Sequence, residues 1–152
     1  MSSFNGSYPV LLNIYDLSPV NQYLRFVGLG FYHSAVEIDG NEISFGGGEQ
    51  PIGGSGITIG DPLYRHNFEL VETRFVGVIQ SKSQIDAVID ELKATFMSNQ
   101  YNAVKKNCNH FTEEFCYRLL KKHIPSYINR LAKLGDIFGY GTNGYSSVAQ
   151  GD

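Results

Sequence analysis

The sequence predicts an α+β domain: a small antiparallel sheet packed with helices. Three observations point to it. Strand-like runs crowd the first half of the chain. Helix-period patterns crowd the second half. Between two of the strands, Asp39-Gly40 followed by Asn41 is a tight-turn signal for a hairpin. The 152 residues suit one domain of ordinary size.

The elements follow in order. Val10 to Tyr15 reads as a buried strand, ended by Asp16-Leu17-Ser18-Pro19. Asn21 to Leu29 fits a short helix or an irregular loop, and the pattern does not choose between them. Tyr32 to Ile38 alternates as a strand, and Glu42 to Phe45 is its return partner. Gly46 to Gly60 holds seven glycines, so a surface loop is expected, either a mobile flap beside a site or an inert hairpin extension. No Lys-Ser or Lys-Thr follows it, which argues against a phosphate cradle. Phe68 to Val76 suits a further strand, and Val78 and Ile79 extend its apolar run past Gly77.

The helices come next. Ser81-Lys82-Ser83-Gln84 has the form of a capping box, with Ser81 as cap and Gln84 reaching back. The helix behind it places Ile85, Val88, Ile89, Leu92 and Phe96 on one face. Ser98 to Lys106 is a polar connection containing Tyr101. A helix from Cys108 to about Lys122 carries the stripe Phe111, Phe115, Leu119 and Leu120, and Pro125 breaks the pattern. A last helix spans about Ser126 to Phe138. The expected domain is therefore 1–138, and 139–152 is an expected disordered Gly/Ser-rich tail.

Composition narrows the function. A net charge of −3 argues against nucleic acid as the main ligand. No apolar run approaches the ~18–20 residues of a membrane span, and no basic-then-apolar leader opens the sequence. Two cysteines eight positions apart on one helix are poorly placed to bridge, which fits a reducing compartment, cytoplasmic or nuclear.

The chemistry centres on Cys108. It stands where its helix begins, between Asn107 and Asn109 and just after Lys105-Lys106. A helix N-terminus lowers a thiol pKa, and a neighbouring imidazole lowers it further. Cys116, two turns on between Phe115 and Tyr117, reads as core packing. His33 lies on a strand, which fixes the direction of its ring as a general base requires. A hydrogen-bonded core histidine is the rival reading of the same position. His110 is only two residues from Cys108, and positions two apart on a helix do not face one another. His66 lies in a turn and His123 at a helix end, without nameable partners. Cys108, His110, Cys116 and His33 lack the short fixed spacings of a zinc site, so no metal or other cofactor is expected.

Two strings carry a resemblance. Gly30-Phe31-Tyr32-His33-Ser34-Ala35-Val36-Glu37 and Asn107-Cys108-Asn109-His110-Phe111-Thr112 look like motifs of the PPPDE family, which contains the desumoylating isopeptidases. Ile124 to Ala132 resembles the segment after that family's cysteine helix, and the likeness runs from about Val10 to Gly135. It implies a papain-like α+β fold in circularly permuted order, with the histidine strand before the cysteine helix. It carries the family's catalytic pair onto His33 and Cys108. It also implies removal of ubiquitin or a ubiquitin-like modifier such as SUMO from protein lysines through an acyl-enzyme. S-deacylation of protein cysteines, ascribed to members of the family, uses the same pair, and an interaction module without turnover is the non-enzyme alternative. Glu42 and Ser44 are candidates to orient His33. The Cys108 N–H, with Asn107 or Gln22, is a candidate oxyanion donor. The implied partners are modifier conjugates, and a homodimer with the site in a groove between protomers is compatible with the chain.

Overall fold

A computed structural model of the protein describes residues 6–24, 27–46, 54–63 and 68–137. The hairpin forms where the sequence places it. Asp39 and Gly40 both take positive φ, 52° and 75°, the backbone that a two-residue turn between twisted strands requires. It joins β2 (Tyr32–Ile38) to β3 (Asn41–Phe45) with Val36 opposite Ile43 and Glu37 opposite Glu42. β1 (Tyr8–Asp16) pairs with β2 on one side and with β5 (Glu69–Ile79) on the other, and β4 (Ile57–Gly60) closes the far edge. The sheet order is β4-β3-β2-β1-β5, antiparallel throughout.

The helices are α1 (Asn21–Leu24), α2 (Lys82–Thr95), α3 (Cys108–Leu120) and α4 (Arg130–Ile137). α2 and α3 contribute to one core with the sheet. Val10, Leu12 and Ile14 of β1 are fully buried there, with Val36, Ile43 and Phe45 beside them. Ile85, Ile89 and Leu92 of α2 and Phe111, Phe115 and Cys116 of α3 complete it. Phenyl rings pack against one another within it: Phe45 meets Phe96 edge-on at 4.9 Å, and Phe96 meets Phe111 at 5.3 Å. Phe111 is fully buried among them. Phe111→Ala is therefore expected to lower stability by about 3–5 kcal/mol, read by urea denaturation. A loss under about 1 kcal/mol, the scale of a tolerant site, would contradict this packing.

Strand alternation sends the other side chains to the opposite face. There Asn13 Nδ2 donates to Glu37 Oε1 and Glu42 Oε2, each at 3.1 Å, and the Tyr15 hydroxyl donates to Glu42 at 2.6 Å. The Leu63 N–H also donates to Glu42 at 3.0 Å, so the chain after β4 reaches over this face. Asn13, Tyr15, Glu37 and Glu42 are thus buried polar groups paired with one another, as burial demands.

Several expectations change. Part of the Gly46–Gly60 segment is not loop: Ile57–Gly60 forms the edge strand β4, because Ile57, Thr58 and Ile59 are β-branched and pair with β3. Gly56 N–H also donates to the Phe96 carbonyl at 2.8 Å, tying this segment to the end of α2. Residues 47–53 lie outside the described residues. Ser81 caps α2 without a side-chain cap bond; its hydroxyl pairs with Ser83 at 2.6 Å, so the capping box does not form. β5 does continue past Gly77 to Ile79, as its apolar run leads one to expect, with a bulge opposite Val10 and Leu11. α3 stops at Leu120, where Lys121 takes left-handed backbone at φ 54°. The last helix is a 3-10 turn over Ser126–Asn129 followed by α4. The expected tail from 139 lies outside the described residues. Among those described, no helix is long and apolar enough to cross a membrane.

Candidate active site

Cys108 is the first residue of α3, and its position is fixed by the cap before it. Asn107 Oδ1 accepts from the N–H groups of Asn109 and His110 at 2.9 and 3.0 Å. The Asn107 N–H donates to His110 Nδ1 at 3.0 Å, closing a reciprocal box. Asn107 Nδ2 donates to the Ala103 carbonyl and to Asn129 Oδ1, each at 2.9 Å. His110 Nε2 lies 3.2 Å from Asn129 Nδ2. The Nδ1 atom of His110 therefore serves the cap, and Nε2 lies against Asn129. The Asn107 amide is spent the same way, which removes it as an oxyanion donor.

α3 is fastened to the histidine strand by its second residue. Asn109 Nδ2 donates to the Tyr32 carbonyl at 2.9 Å, and Asn109 Oδ1 accepts from the Ser34 hydroxyl at 2.6 Å. The Ser34 hydroxyl also lies 2.7 Å from Thr112 Oγ1. Asn109, Ser34 and Thr112 are all buried. The clamp thus grips β2 at the residue before His33 and the residue after it. The Ser34 N–H, which belongs to the His33–Ser34 peptide, hydrogen-bonds the Cys108 thiol.

His33 is buried, and its ring lies 5.8 Å from the Tyr15 ring and 6.0 Å from the Phe68 ring. Alternation along β2 sends it off the side opposite to the Ser34 hydroxyl. The thiol thus lies against the His33–Ser34 peptide, and the His33 ring packs beside Tyr15 and Phe68. Glu42 reaches this neighbourhood through the Tyr15 hydroxyl, and Ser44 pairs with Thr58 at 3.0 Å. Gln22 is exposed on α1. His66 lies outside the described residues. His123 has a partner after all: its Nδ1 pairs with Glu113, and its ring stacks on Tyr117.

Cys108 opens onto a cavity of about 330 Å³. Leu17, Phe31, Val104, Ile128, Leu131 and Ala132 supply its apolar walls, and Tyr101, Asn107, Asn109 and Asn129 its polar ones. Gly30 lines it too, where a Cβ would collide with the Tyr32 ring.

The thiol's acidity departs from the sequence expectation. Burial pushes Cys108 above the ordinary thiol value. Hydrogen bonds from the Ser34 N–H, the Tyr101 hydroxyl and the N–H groups of Cys108 and Asn109 pull it down without reversing the sign. The helix terminus alone predicts a lowered value, but it omits the desolvation of a side chain only 4% exposed. The resting thiol is thus protonated at neutral pH, and forming the nucleophile requires a base. Cys116 is the contrast: fully buried in the core, it is pushed up to about 12 by burial and by the Glu113 charge. Both cysteines are free.

Sequence reasoning passed over Ser34, Asn109 and Tyr101. The first two are polar residues at positions of a strand and a helix that face the core, and that misfit is the signal that marks them.

Comparisons with known proteins show the family. The model of the PPPDE putative peptidase domain matches residues 8–143. A DeSI-like protein of Arabidopsis thaliana is 39% identical over 128 residues, covering 84% of this chain and 56% of the relative. The desumoylating isopeptidase 1 homolog of Caenorhabditis elegans is 35% identical over 82% of this chain and 38% of its own length. Human desumoylating isopeptidase 1 is 29% identical, covering 82% of this chain and 74% of the relative. The chain thus spans about half or less of the length of the first two of these relatives.

Proposed function

The chain belongs to the PPPDE family, and on that premise we propose that it is a cysteine isopeptidase removing SUMO or ubiquitin from protein lysines. The observation that carries the reading is Cys108 itself: a thiol at a capped helix start, facing a cavity and bonded by the peptide of a strand histidine. The relatives' names support SUMO as the modifier.

The reaction runs in two halves. His33 takes the Cys108 proton, and the sulfur attacks the carbonyl carbon of the isopeptide bond. The oxyanion forms near the start of α3, where the Cys108 N–H and the helix dipole favour negative charge. The C–N bond then breaks, His33 protonates the departing lysine amine, and the modifier tail stays on sulfur as a thioester. Water, deprotonated by His33, releases the tail as a carboxylate and restores the thiol. The Asn109 clamp keeps β2 and α3 in register through both halves. A cavity of about 330 Å³ suits a short extended tail, not a folded modifier.

A second reading has one observation in its favour. The cavity walls formed by Leu17, Phe31, Val104, Ile128, Leu131 and Ala132 also suit a fatty acyl chain, which makes protein S-deacylation the alternative. The purified protein should be offered a SUMO–lysine isopeptide, a ubiquitin–lysine isopeptide and an acyl-thioester peptide in parallel. Release of free lysine amine from an isopeptide is the expected result. Cleavage of the thioester alone would transfer the assignment to the second reading, and turnover of none would leave an interaction module.

A further inference from the structure

We propose that Tyr101 is a catalytic residue of this site, its hydroxyl donating first to the Cys108 sulfur and then to the oxyanion. The inference rests on the thiol-hydrolase reading above and adds to it the second oxyanion donor.

Tyr101 and Cys108 line the same cavity, and the Tyr101 hydroxyl hydrogen-bonds the thiol. The phenol is held from two directions. Its ring packs on Phe45 of the core at 5.2 Å. Behind it the chain closes on itself: the N–H groups of Asn102 and Lys106 donate to each other's carbonyls at 3.0 and 2.9 Å. Asn102 Oδ1 accepts from the N–H groups of Val104 and Lys105, both at 2.9 Å. The loop is then tied to the cap of α3, since Asn107 Nδ2 donates to the Ala103 carbonyl. Tyr101 and Cys108 are thus the two ends of one short braced segment, and a donor held in place before reaction is what oxyanion stabilisation requires.

The chemistry then follows from bond lengths alone. When Cys108 Sγ bonds the carbonyl carbon, the carbonyl oxygen is one bond further from sulfur. Donors that reach the sulfur at rest can therefore reach that oxygen. The thiol proton goes to His33, the carbonyl π pair moves to oxygen, and the new oxyanion accepts from the Cys108 N–H and the Tyr101 hydroxyl. Tyr101 keeps its proton throughout; it donates a hydrogen bond and transfers nothing. Asn107, the other candidate donor beside the thiol, is already committed to the cap.

Tyr101→Phe tests this, because it keeps the ring on Phe45 and deletes only the hydroxyl. The expected result is a fall in kcat of about 100-fold with KM within about threefold of wild type, as for loss of one oxyanion donor. The pH at which Cys108 reacts with iodoacetamide should also rise, since a donor to the thiolate is gone. A Tyr101→Phe kcat within about threefold of wild type would overturn the proposal, since one oxyanion donor ordinarily contributes far more. So would an equal loss in kcat and in the melting temperature, which marks a packing role. If instead Cys108→Ala retains turnover, it is the thiol-hydrolase reading that fails.

Discussion

Cys108→Ala is expected to abolish isopeptide cleavage, lowering kcat by about 10⁴-fold or more, the scale seen when a covalent nucleophile is removed. The fold should survive. Cys108 lies outside the main apolar cluster, and the α3 cap is made by Asn107, Asn109 and His110 rather than by the thiol. Melting temperature and activity should therefore separate, with the first nearly unchanged and the second lost. Cys116→Ala should do the opposite. It removes a core side chain from beneath α3, weakens stability and leaves turnover in the folded protein intact. Turnover that survives Cys108→Ala, or that disappears with Cys116→Ala in folded protein, would reverse the assignment.

His33→Gln is expected to lower kcat/KM by about 10²–10⁴-fold, the usual contribution of a positioned general base. Its pH profile carries more information than the size of the loss. Burial raises the Cys108 pKa, so the thiol does not ionise unaided near neutrality. With His33 present as the base, activity should already be high at neutral pH. With glutamine in its place, activity should climb through the alkaline range, following the thiol itself. The ring now lies beside Tyr15 and Phe68, so Tyr15→Phe is a useful companion. It keeps that packing and removes the hydroxyl bond to Glu42. A His33→Gln enzyme with the wild-type pH profile would show that the base is another group.

How much of this is legible in the sequence depends on whether the deciding interactions are local. The hairpin is legible because Asp39-Gly40 meets its own backbone requirement at positive φ. The stripes of α2 and α3 are legible because helical period alone puts Ile85, Ile89, Leu92, Phe111 and Phe115 on buried faces. The helix start at Cys108 is legible because its cap lies within three residues. The clamp is not: Asn109 and Ser34 are 75 positions apart, and either alone reads as an ordinary polar residue. The thiol's raised pKa is not, because it follows from the burial of Cys108 in the folded chain, which no local pattern sets. β4 is obscured by the glycines before it, although Ile57-Thr58-Ile59 is a strand signal of its own. At Ser81 the local signal is present and another local bond, to Ser83, displaces it.

The central claim is that Cys108 is the atom that takes the modifier tail. A SUMO or ubiquitin chain ending in a thiol-reactive electrophile, incubated with the native protein and mapped by peptide mass spectrometry, tests it directly. The predicted result is a single adduct on Cys108, retained in Cys116→Ala and lost in Cys108→Ala. An adduct on Cys116, or labelling that persists after Cys108→Ala, would contradict the account.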